Sequence, residues 1–60
     1  MSSDEMRRLK VSDRVLWVED KAVGMVVELL PMGITIDWDD GFTGQQLSFV
    51  NADRIARFTL

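Results

Sequence analysis

AVGMVVELLPMGITIDWDDG, residues 22–41, holds two apolar runs separated by Pro31, Met32 and Gly33. The first run, residues 25–30, is rich in Val and Leu; the second, residues 34–38, reads Ile-Thr-Ile-Asp-Trp. β-Branched residues with period-two alternation favour strands, and a short Pro/Gly connection between two such runs predicts a hairpin. The rest of the chain reads as strands added on either side of it. Gly24, at the start of the first of these strands, marks a bulge or a close backbone approach, because it lacks a Cβ.

Sixty residues make one domain near the lower size limit for folding without cross-links. Cys and His are both absent, which excludes disulfides, the usual zinc ligand sets and Ser/His/Asp or Cys/His catalysis. The core must come from hydrophobic burial, and 47% of the residues are hydrophobic, enough for a compact barrel. Self-association through an open sheet edge is the accompanying option, with Met25 and Met32 adaptable enough to line such a contact. The formal charge of −3 argues against a nucleic-acid partner, because phosphate neutralisation dominates such binding. No apolar stretch reaches the length of a membrane span, and residues 1–10 lack the apolar core of a signal peptide, so the expectation is a cytoplasmic protein.

Along the chain, residues 1–10 read as a mobile N-terminal tail. Ser2 and Glu5 have capping-box spacing, but a helix this short is marginal without tertiary packing. Residues 11–60 form the expected domain. A first strand falls in residues 11–18, with Val15 and Trp17 on one face and Leu16 and Val18 on the other. After the central hairpin, Asp39, Asp40 and Gly41 make a turn in which Gly41 suits a positive φ. Residues 45–50 give a fourth strand with Leu47 and Phe49 inward. Asn51, Ala52 and Asp53 read as one helical turn, and residues 54–59 close as a fifth strand, with Ile55 buried and Arg57 exposed. The fold class expected is all-β: a small, five-stranded, partly open barrel with one short helical turn before the last strand.

Val11-x-Asp13-x-Val15, Gly24-x-Val26-x-x-Leu29, Ile34-x-Ile36, Asp40-Gly41 and Asp53-x-Ile55 together resemble an SH3-like barrel of the Tudor or KOW type, over about five-sixths of the chain. That resemblance implies an interaction module; several unrelated functions share the architecture. One departure is visible, since many relatives carry Gly where this chain has Ser12. The tetrameric type II dihydrofolate reductase shares the architecture and builds its site from a Val-Gln-Ile-Tyr strand. Here the corresponding region, Gln45-Gln46-Leu47-Ser48, lacks the Tyr, so no enzyme is expected.

The candidate binding residues are aromatic and acidic: Trp17 and Glu19 near the first loop, then Asp37, Trp38, Asp39 and Phe42 around the turn after the hairpin. In an SH3-like barrel these two loops lie at the same end of the sheet. Aromatic faces attract cations, and neighbouring carboxylates strengthen the attraction. Similarity to Tudor domains implies a cage for methylated Lys or Arg built from Trp17, Trp38 and Phe42 with Asp37 or Asp39. The same surface suits a cationic or proline-rich peptide of a protein partner. The plainer alternative is that both indoles only pack the core. Asp37, Asp39 and Asp40 do not meet the spacing of a calcium loop, for Gly falls at the fifth position and Ser48 at the twelfth, so neither metal nor cofactor is expected. Arg14, Arg54 and Arg57 form an alternative face, for nucleic acid or a transcription complex as in KOW-type relatives, against a plainer role as surface ion-pair partners.

Overall fold

In the computed structural model, which describes residues 1–59, the chain runs α1 (Ser3–Arg7), β1 (Arg14–Trp17), β2 (Val23–Leu30), β3 (Gly33–Trp38), β4 (Gln45–Ser48), a 3-10 turn (Phe49–Arg54) and β5 (Ile55–Arg57). Leu60, the last residue of the expected domain, lies outside the described residues. The five strands form one antiparallel sheet in the order β4-β3-β2-β1-β5, a curled half-barrel consistent with an SH3-like fold. The all-β expectation therefore holds, including the helical turn before the last strand. The central strands β2 and β3 begin earlier than the apolar runs implied, whereas β1, β4 and β5 are shorter than expected. Residues 11–13 form a turn ahead of β1, and Phe49 opens the 3-10 turn instead of extending β4.

The hairpin turn is tighter than the sequence implied, because Gly33 belongs to β3, opposite Leu30 on one side and Ser48 on the other. A Cβ on Gly33 would stand 2.0 Å from the Leu47 carbonyl oxygen, so only glycine lets β4 approach here. The register of β2 on β3 shifts between Val26 and Glu28. That bulge breaks strict alternation. Val26 faces the core opposite Ile36, yet Glu28 turns outward, opposite Thr35, and accepts a hydrogen bond from the Thr35 hydroxyl at 3.2 Å. Gly24 is not the bulge; its role is the close approach described below.

The core consists of Met6, Leu9, Val15, Val26, Ile34, Ile36, Trp38, Leu47, Ala52 and Ile55. Two of its members come from the segment expected to be a mobile tail, and that expectation is corrected here. The Ser2 hydroxyl accepts from the Glu5 N–H at 3.1 Å and the Glu5 carboxylate accepts from the Ser2 N–H at 3.4 Å, closing the capping box. What holds so short a helix is tertiary packing. Met6 and Leu9, three residues apart on one face, are both buried, and the Arg7 guanidinium lies 4.7 Å from the centre of the Phe49 ring. The Met1 ammonium donates to the carbonyls of Ala52 and Ile55 at 3.2 and 2.6 Å. Thus α1 lies on the 3-10 turn, which itself connects the two edge strands of the sheet.

Ser12 has φ +81°, a left-handed conformation that disfavours any side chain. It sits in a turn closed by the Asp13 N–H on the Lys10 carbonyl (3.0 Å), and its own N–H reaches Val26 at 2.8 Å. Gly is favoured at such a third turn position. Among the described residues, no helix is long and apolar enough to cross a membrane.

Two stability measurements test this account. Met6→Ala removes a fully buried side chain and should cost about 2–4 kcal/mol in a urea titration, whereas truncating a free tail would change nothing. Ser12→Gly relieves the left-handed strain and should stabilise by about 0.5–1 kcal/mol, raising Tm by roughly 3–6 °C; a fall in Tm would refute the strain.

Candidate binding cleft

Trp17 ends β1 and Trp38 ends β3, and their rings meet edge to face with centroids 6.0 Å apart and planes at 90°. The loops following them therefore share one end of the sheet, as the resemblance to an SH3-like barrel implied. Gly24 makes this possible. A Cβ there would lie 2.6 Å from Ile36 Cγ2 and 2.7 Å from Trp38 Cε3, so the missing side chain is the space that the Trp38 ring fills. The indole N–H of Trp38 donates to the Gln45 side-chain oxygen at 2.5 Å, which fixes the ring and satisfies its one polar atom.

Each loop is pinned by its own backbone. After β1, the Trp17 N–H bonds the Ala22 carbonyl (2.8 Å) and the Lys21 N–H bonds the Trp17 carbonyl (2.7 Å), with Lys21 at φ +61°. After β3, the Trp38 N–H bonds the Phe42 carbonyl (2.8 Å) and the Gly41 N–H bonds the Trp38 carbonyl (3.1 Å), with Gly41 at φ +98°. In both loops an aspartate accepts from the N–H two residues on: Asp20 from Ala22 at 2.9 Å and Asp40 from Phe42 at 3.0 Å. These Asx turns fix the two carboxylates in place.

Between the loops lies an open cleft of about 210 Å³, lined by Trp17, Asp20, Ala22, Trp38, Asp40, Phe42 and Gln45. The expected aromatics Trp17, Trp38 and Phe42 all reach it. They differ in exposure: Trp38 is only 8% exposed and forms the floor, Trp17 is half-buried, and Phe42 is 63% exposed at the rim. Trp38 thus serves both readings, core packing and cleft wall. Among the described residues, no Lys or Arg side chain lines the cleft.

The acids are other than those expected. Asp37 accepts from the Gly44 N–H at 2.8 Å and ties down the loop after β3. Asp39 pairs with Arg14 at 3.1 Å on the surface. Glu19 lines a different groove, of about 300 Å³, beside Trp17, Val18, Asp53 and Arg54. In their place stand Asp20 and Asp40. The signal for them was local: Asp20-Lys21-Ala22 and Asp40-Gly41-Phe42 share the spacing of an Asx turn directly after a tryptophan-ended strand. Asp37, Asp39 and Asp40 each face a different partner, a backbone amide, a guanidinium and another backbone amide, so they make no common ligand set.

The alternative basic face is not assembled. Arg14 pairs with Asp39, Arg57 lies 3.4 Å from Asp13, and Arg54 sits by the groove that holds Glu19. Both pairs are open to solvent on at least one side, where an ion pair contributes about 1 kcal/mol or less.

In comparisons with known proteins, no family model matches the chain, and neither a curated protein nor a solved structure shows significant similarity to it.

The difference between the two indoles is measurable. With single-tryptophan variants Trp17→Phe and Trp38→Phe, acrylamide should quench the remaining Trp17 fluorescence several-fold more efficiently than the remaining Trp38 fluorescence. Equal quenching would mean that the cleft has no buried floor.

Proposed function

We propose that this half-barrel is a small, non-enzymatic interaction module of the Tudor type, which receives a cationic segment of a protein partner in the cleft between its first loop and the turn after β3. The observation that carries this reading is the convergence of three aromatic rings and two carboxylates, with no basic side chain among the described residues, on one cleft of the sheet. Ring faces attract a cation by about 0.5–1 kcal/mol each at exposed sites and more when desolvated. Asp20 and Asp40 add charge attraction that their Asx turns hold in position without further ordering cost. The volume suits one Lys or Arg head group with its apolar stem along Trp17 and Phe42, not a large ligand. The formal charge of −3 steers basic partners toward the protein. Such a module acts by binding alone, and the reading includes a cytoplasmic setting, where a small acidic domain without Cys is at home.

The nucleic-acid adaptor reading, through Arg14, Arg54 and Arg57, has less support, because two of the three guanidinium groups are already engaged by carboxylates.

Titrating the chain with short Lys- or Arg-containing peptides should shift the tryptophan emission, and the affinity should fall as salt is raised. Phe42→Ala and the double change Asp20→Asn with Asp40→Asn should each weaken binding by about tenfold while leaving the fold intact. Binding that ignores these changes, or an oligonucleotide affinity that drops steeply with salt, would overturn the reading in favour of another surface.

A further inference from the structure

The proposed cation cleft is built on two rings that touch each other, and this restricts what can enter it. Trp17 and Trp38 meet edge to face with centroids 6.0 Å apart, the spacing of a pair in van der Waals contact. A ring holds a cation that stands over its face, within about 6 Å of the centroid. An ammonium cage seats its guest between ring faces that stand apart, and these two indoles leave no such gap. Trp38, 8% exposed, offers only a strip of its surface. Trp17 keeps at least one face off its partner, whichever ring supplies the edge, and Phe42 is open at the rim. The cleft is therefore a slot against ring faces and not an enclosure.

The polar lining is equally restrictive. Besides Asp20 and Asp40, the other polar side chain in the lining is Gln45, whose oxygen already accepts from the Trp38 indole. Each aspartate commits one oxygen, Oδ1, to the amide of its own turn, at Ala22 or Phe42. Among the described residues, neither Oδ2 accepts a hydrogen bond, and neither carboxylate belongs to an ion pair. The cleft thus offers a bound cation one carboxylate oxygen from each of two loops, both held in place before the cation arrives.

We infer, resting on the reading of this cleft as a cation site, that its ligand is the unmethylated guanidinium of an arginine in the partner. A guanidinium is planar, so it lies flat against a ring face while its N–H groups point outward in its own plane. Stacking and hydrogen bonding therefore do not compete: the flat surface meets Trp17 or Phe42, and the edges donate to Asp20 and Asp40. Lysine carries its three donors on a compact, strongly hydrated ammonium, which gives up water contacts to approach a ring face. Trimethyl-lysine keeps its charge but has no N–H, so both free oxygens would face methyl groups in place of a donor. Methylation of arginine keeps the charge and removes donors in the same way. A cage for methylated Lys or Arg, the other use to which three aromatic rings are put, is disfavoured on both counts.

Blocked glycine peptides with one central arginine, lysine, trimethyl-lysine or asymmetric dimethylarginine isolate the head group. Titrated against the full chain and followed by tryptophan emission, arginine should bind about tenfold more tightly than trimethyl-lysine, with lysine and dimethylarginine in between. Asp20→Asn with Asp40→Asn keeps an oxygen for each turn amide and replaces the free one by a donor, so the preference for arginine should disappear. Circular dichroism checks the fold of this double variant; should it be lost, the two single changes serve instead, each removing part of the preference. Phe42→Ala takes ring surface from the rim and should weaken all four peptides while arginine remains preferred. Trimethyl-lysine or dimethylarginine binding as tightly as arginine, with every peptide still weakened by Phe42→Ala, would overturn this inference and leave the cation cleft standing. A preference for arginine that survives the Asn changes would overturn it as well. Peptides that ignore both Phe42→Ala and the Asn changes would sink the cleft reading itself, and this inference with it.

Discussion

A sheet of five short strands that does not close has to cover its core from elsewhere, and the rest of the molecule is arranged to do so. The gap lies between β4 and β5, the two edges of the sheet. The 3-10 turn connects them and contributes Ala52 to the core, and the N-terminal segment packs on that turn with Met6 of α1 and Leu9 just after it. Without cysteines, burial of apolar side chains is what stabilises this arrangement. A helix of five residues has almost no stability of its own, so α1 forms only by packing on the half-barrel.

The core and the cleft meet in Trp38. Its ring is buried against the Gly24 backbone, its N–H is satisfied by Gln45, and its edge meets Trp17 at a right angle. The cleft floor is therefore as rigid as the core behind it, and the more adaptable parts are the Phe42 rim and the half-buried Trp17. A preformed floor with a fixed pair of carboxylates lowers the ordering cost of binding. The same economy applies to Asp20 and Asp40, whose positions follow from turn geometry alone.

The strands, their order along the chain, the turn at Gly41 and the aromatic composition of the cleft could all be read from residue types and period-two spacing, because these are local properties. The resemblance to SH3-like barrels, not local patterning, drew attention to Ser12, where many relatives carry Gly and this chain adopts a positive φ. The burial of Met6 and Leu9 was not legible: an i, i+3 apolar pair in a polar decapeptide becomes a core element only once a sheet edge exists for it to cover. The bulge after Val26 was likewise hidden, and it alone turns Glu28 outward beside Thr35. The cleft acids followed the same division. Sequence order placed Asp37 and Asp39 nearest to Trp38, but side-chain direction belongs to the tertiary structure, which committed them to Gly44 and Arg14 and left Asp20 and Asp40 at the cleft. Local patterning, in short, determined which segments are strands and which residue chemistries gather at one end. Packing across the unclosed sheet decided which of those residues are buried, paired or free, because that depends on neighbours distant in the chain.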